Sequence, residues 1–113
     1  MNTPQITFKE AYTEAVKEAL LILGENVSAI INTYITEKYS IHLQDTVNNP
    51  KALSDTLEAV IDGGSKIVQR KILRLLYNKI GIDTPFAITT GFEERVFYAR
   101  KEYEKLNLIN SGI

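Results

Sequence analysis

Apolar positions recur along this chain with the period of an α-helix, three and four residues apart. From Phe8 they fall at Ala11, Tyr12, Ala15, Val16, Ala19, Leu20 and Leu23, while Lys9, Glu10, Thr13, Glu14, Lys17 and Glu18 take the other side. Thr7 and Glu10 stand at capping-box spacing, so hydroxyl and carboxylate can each satisfy a backbone N–H left open by the first turn. Gly24 is the expected stop. A second stripe, Val27, Ile30, Ile31, Tyr34 and Ile35, predicts helix from about Glu25 to Tyr39. Its β-branched content leans towards strand, but the spacing is helical and not alternating.

A polar connection from Gln44 to Asn49 follows. Asn49-Pro50 then reads as an N-cap with proline at the first helical position. Leu53, Leu57, Val60 and Ile61 form the stripe of a third helix ending at Gly63, and a fourth runs from Ser65 to Ile80 with Gly81 as its stop. Its apolar arc is wide: Val68, Ile72, Leu73, Leu75, Leu76 and Ile80. Thr90-Gly91-Phe92-Glu93 is a second capping box, opening a helix to about Leu106 with Phe92, Val96, Ala99, Tyr103 and Leu106 on a heptad seam. Phe97 and Tyr98 flank that seam and need cover. The pattern predicts an all-α fold, a single-domain bundle of about five helices over residues 1–113, with 1–6 and 107–113 frayed.

Composition narrows the chemistry. With no cysteine and one histidine, His42, a disulfide framework, a thiolate metal site, a thiol nucleophile and a zinc cluster of several His or Cys ligands are all excluded. Met1 to Gln5 show no basic stretch leading into an apolar run, and no segment approaches the ~18 apolar residues of a membrane span. The expectation is a soluble cytoplasmic protein with no cofactor and no membrane partner. Charge changes the picture more. The net charge is −1, yet Ser65 to Ile82 holds five of the thirteen basic residues and none of the fourteen acidic ones. Such a reversal marks either an anionic partner or a helix neutralised by acidic neighbours inside the fold. The low overall basicity favours the second.

The order of landmarks from Glu18 to Ile82 is distinctive. Leu23-Gly24-Glu25-Asn26-Val27 joins two helices and an aromatic and acidic stretch runs from Tyr34 to Tyr39. The connector Ile41 to Pro50 and a leucine-bearing helix precede the turn Gly63-Gly64-Ser65-Lys66-Ile67-Val68. This arrangement resembles the archaeal output domain of Nitrosopumilus-type response regulators, a small α-helical family that also occurs free-standing. Ile61-Asp62 stands where that family carries an aromatic or aliphatic residue and a glycine. The resemblance implies a signalling or regulatory module and brings no catalytic residues.

Individual candidates are weighed on their chemistry. His42, between Ile41 and Leu43 with Asp45 three residues on, reads as a partly buried connector and not as a base, which would need an orienting partner and a nucleophile. Gly63-Gly64-Ser65-Lys66 at a helix start can expose N–H groups to an anion, but it lacks the spacing of a phosphate-binding loop and reads as a tight reversal. Glu14 and Glu18 share a surface without the Glu-x-x-His pairs of a di-iron bundle. Six tyrosines suit interfaces, and Tyr77 falls on the arc of Lys66, Arg70 and Arg74. The sum is a non-catalytic regulatory or protein-interaction module, a homodimer through Phe92, Val96, Phe97, Tyr98 and Tyr103, possessing no enzyme chemistry. The alternative is a nucleic-acid binder using Lys66, Arg70, Lys71 and Arg74.

Overall fold

The computed structural model describes residues 6–83 and 91–111. The fold is all-α. Helix α1 spans Phe8–Leu21, α2 Glu25–Tyr39, α3 Pro50–Ile61, α4 Ser65–Ile80 and α5 Phe92–Ser111, with short 3-10 helices at Leu43–Asn48 and Asp62–Gly64. The Thr7 capping box forms as the spacing requires: Glu10 N donates to Thr7 Oγ1 at 3.0 Å and Thr7 N to Glu10 Oε1 at 2.9 Å. Those bonds to Thr7 hold the Glu10 carboxyl below the ordinary carboxylate range.

One core runs through the bundle. Helix α1 buries Ala11, Tyr12, Ala15, Val16 and Leu20 completely and packs chiefly on α4, whose Ile72 and Leu76 are equally buried. Small residues on α1 let the two backbones approach, and the larger ones fill the space between the facing turns. Tyrosine hydroxyls tie distant segments. Tyr12 shares a 2.7 Å hydrogen bond with Thr46, whose hydroxyl also donates to Leu43 O at 2.7 Å; Tyr103 donates to Ile6 O. Burial pushes the Tyr12 phenol well up from its ordinary value. Its neutral hydroxyl keeps a partner there, as a buried polar group must.

Several boundaries and facings differ from the sequence reading. Helix α1 ends at Leu21, and Gly24, at φ +98°, instead begins α2. The polar connection winds into the 3-10 helix Leu43–Asn48, which buries Thr46 and Val47. Ile30 is 53% exposed, because the contact of α2 with the core is narrow, with Ile31 and Ile35 buried and Val27 partly buried against it. Helix α3 stops at Ile61, and the positive φ falls on Asp62 (φ 61°), not Gly63. Gly81 closes α4 in the left-handed conformation, its N–H donating to the carbonyls of Asn78 and Tyr77. Helix α5 begins at Phe92, one residue after the start that a Thr90 cap implies, and continues to Ser111, five residues beyond Leu106. Thr90, the proposed cap, lies outside the described residues. None of the helices among the described residues is long and apolar enough to cross a membrane.

Candidate anion-binding face between α4 and α5

Helix α4 has two working sides. Ser65, Val68, Gln69, Ile72, Leu73, Leu76, Tyr77 and Ile80 face inward, leaving Lys66, Ile67, Arg70, Lys71 and Arg74 on the outer arc. Tyr77 is therefore not part of that arc. It is 1% exposed, and its hydroxyl donates to Arg95 O at 3.0 Å, fixing α5 to α4. At the edge of the inward side, Ile80 precedes the glycine cap that turns the chain away.

The five basic side chains of this segment divide. Lys79 reaches α1, where it lies 3.5 Å from Glu14 and closer still to Glu18. The Glu18 carboxylate is the first reason its ammonium is held above the ordinary lysine value. Glu14 and Glu18 thus share one lysine and form an internal ion cluster. Lys66 sits 3.5 Å from Glu58 of α3, both side chains being mostly exposed. Arg70, Lys71 and Arg74 have no ion pair among the described residues. Neutralisation by the chain's own acids, the reading that the sequence favoured, holds for Lys66 alone among the four arc residues. The reason is geometric: Glu14 and Glu18 lie on α1, behind the inward side of α4, and only Lys79 is placed to reach them.

Helix α5 brings in a cation that sequence reasoning missed. Lys66, Gln69, Arg70 and Leu73 of α4 and Gly91, Phe92 and Arg95 of α5 line a cleft of about 150 Å³. Among the described residues, no carboxylate lines it. Arg95 Nε is buried and has no hydrogen-bond partner among the described residues. Gln69 is held by its own bond, Nε2 donating to Ser65 Oγ at 2.7 Å. The helix start lies close by: Arg95 N donates to Gly91 O at 3.2 Å, and the Glu94 carboxylate lies over Gly91, near where a β-carbon would stand. Arg95 could have been found from its heptad position, since it flanks the seam and so faces whichever helix covers that seam.

The proposed dimer surface is mostly consumed within the chain. Phe92, Val96 and Tyr103 are 6%, 0% and 8% exposed, packed on α3, α4 and Phe8 of α1. Phe97 and Tyr98 remain 43% and 45% exposed. The seam from Phe92 to Tyr103 found its partner helices in its own bundle, while its last residue, Leu106, is 40% exposed.

The other candidates resolve as structural features. His42 is exposed, not partly buried. Asp45 accepts from the His42 backbone N–H and pairs with Lys9 at 3.2 Å. Lys9, first, and that N–H hold the Asp45 carboxyl below its ordinary value. The Gly63-Gly64 turn is a reversal: Ser65 N already donates to Asp62 O, so that amide is committed to the chain. No group of three or more metal-ligating side chains gathers among the described residues. Set beside known protein families, curated proteins and solved structures, the chain matches none.

Proposed function

We propose that this chain is a non-catalytic binding module that takes an anionic partner on the face shared by α4 and α5, with single-stranded nucleic acid the partner best suited to it. The observation that carries this reading is the row Arg70, Lys71 and Arg74 of α4, on its outer arc and without ion pairs among the described residues, with Arg95 of α5 lining the same cleft as Arg70. Arg70 and Arg74 stand one helical turn apart, so their Cβ atoms are roughly 5–6 Å from each other. Cations at that pitch suit a flexible strand of phosphates, and the exposed Phe97 and Tyr98 of α5 are surfaces on which bases can stack. The overall charge of −1 does not oppose this, because exposed charges are screened beyond ~8 Å at physiological ionic strength and the Glu14–Glu18 cluster lies behind α4. A regulatory role, as the resemblance to the archaeal output domain implies, is compatible with such a module.

The test is fluorescence anisotropy with a labelled single-stranded oligonucleotide over a range of salt concentrations. Three phosphate contacts give a slope of about −2 in log K against log salt, at ~0.7 per contact. Arg74→Glu should weaken binding to all sequences alike, because phosphate contacts position without specifying. Binding with no salt dependence, or none at micromolar protein in low salt, rejects the reading.

A second reading, a homodimer, is favoured by one feature: Phe97, Tyr98 and Leu106 stay exposed on a helix whose Phe92, Val96, Ala99 and Tyr103 are packed within the chain. Light scattering at tens of micromolar protein decides it, and a monomer mass removes it.

A further inference from the structure

The geometry points to the α4–α5 cleft as a binding site for a single oxyanion of the phosphate class, held between Arg95, Arg70 and Lys66. The inference rests on the reading of this face as anion-binding and narrows it to one pocket.

Size selects the ligand. At about 150 Å³ the cleft is well below the ~300–1,000 Å³ of pockets that enclose a drug-sized ligand, so a nucleotide does not fit inside. One phosphate group does, with the rest of any ester outside. Charge selects the sign. Three cationic side chains line the cleft and, among the described residues, no carboxylate does; Glu58 pairs with the exposed Lys66 at 3.5 Å, and the Glu94 carboxylate lies over Gly91 at the rim. Leu73 and Phe92 form apolar walls, which lower the local dielectric and strengthen each charge-assisted contact.

Arg95 supplies the directional element. A guanidinium carries donors on a fixed planar fork, and the Nε edge presents two parallel N–H groups matching two oxygens of a phosphate. Here Nε is buried and partnerless among the described residues, whereas buried N–H groups are nearly always satisfied. The backbone beneath it is pinned by the Tyr77 hydroxyl on its carbonyl, so the fork is carried on a fixed point. Arg70 and Lys66, exposed on the α4 rim, add charge without having to be placed as accurately.

Phosphate could arrive as the free ion or as a phosphodiester of the strand proposed above, and the experiment separates these. Heteronuclear NMR of the arginine Nε–H groups is followed during titration with inorganic phosphate, with sodium chloride at matched ionic strength as control. The expected result is a saturable downfield shift of the Arg95 Nε–H, absent with chloride. Arg70→Gln, an exposed substitution that leaves the core intact, should weaken it roughly tenfold, the loss of one charge-assisted contact. A shift that is linear, unsaturated and shared by all arginines overturns the inference, since that is screening alone. Titration with a short oligothymidylate forms the second arm. Saturation of Arg95 by the oligonucleotide and not by free phosphate assigns the site to a phosphodiester. Oligonucleotide binding equal in wild type and Arg95→Gln, with no phosphate response at Arg95, removes the cleft but leaves the face reading standing. No binding in either arm removes both.

Discussion

The two sides of α4 handle charge in opposite ways. Towards α1, Lys79 is tucked between Glu14 and Glu18 over a packed core, so those three charges are paired. On the outer arc and in the cleft with α5, Arg70 and Arg74 have no ion pair and Arg95 holds a buried N–H with no acceptor, among the described residues. Folding can explain the first side completely: burial of Leu76, Ile72 and the α1 stripe drives association, and the ion cluster closes its rim. It does not explain the second, where like charges gather at a cost to the folded chain. A surface that works against stability is the better place to look for binding.

The largest expected effect breaks the comparison if it is wrong. Leu76 is completely buried, so Leu76→Ala should cost about 2–5 kcal/mol through lost burial and the cavity left behind. Arg70→Gln, on the outer arc, should change stability by no more than ~0.5 kcal/mol. Urea denaturation of both variants measures the pair. A large loss in Arg70→Gln would make the outer arc structural and remove the contrast.

The two ends of α4 sharpen it next. Gly81 closes the helix at φ +74°, a conformation that costs L-residues roughly 1–2 kcal/mol, so Gly81→Val should destabilise by about that amount. Asp62 enters the preceding turn at φ 61° and ψ −124°, a region that suits glycine. Asp62→Gly should therefore stabilise, by about 0.5–1 kcal/mol once the greater freedom of glycine in the unfolded chain is set against the relieved strain. Thermal denaturation of the two variants should give midpoints moving in opposite directions. A fall for Asp62→Gly would mean that the carboxylate stabilises the turn more than its backbone strains it.

The architecture was legible because its signals are local. Capping at Thr7, proline after Asn49, glycine at position 81 and apolar spacings of three and four are properties of neighbouring residues, and the structure uses them where they stand. The site was only half legible. Lys66, Arg70, Lys71 and Arg74 could be read from one helix, but whether they were neutralised depended on which helix brought acids near. Arg95 joins them only because α5 returns to α4 across the segment between residues 83 and 91, a contact that no local spacing encodes. Tyr77 was misplaced for a related reason: a helical wheel puts it beside Arg70, yet it lies where α5 covers α4 and is buried. Phe92, Val96 and Tyr103 show the same limit, since a heptad seam states that a partner exists without saying whether it belongs to the same chain.

The smallest expected effect tests the contrast most directly, by removing one cation from each side. Lys79→Met leaves Glu14 and Glu18 without their shared partner and should cost up to ~1 kcal/mol near neutral pH, the scale of a partly exposed ion pair. The pH dependence has a definite sign. Because the folded state holds the Lys79 ammonium above its ordinary value of 10.5, its contribution is fully present below that value and is lost as pH rises through the higher folded one. The stability gap between wild type and Lys79→Met should therefore be constant across neutral pH and close as pH rises through that alkaline window. Arg74→Met should show no gap at any of these pH values, since its guanidinium has no ion-pair partner among the described residues and stays charged throughout. Its effect should appear instead as weaker, less salt-dependent oligonucleotide binding, which Lys79→Met should leave unchanged. If the two substitutions exchange these behaviours, the division of α4 into a folding side and a binding side is wrong, because the cation that holds the bundle would then also be the one that holds the ligand.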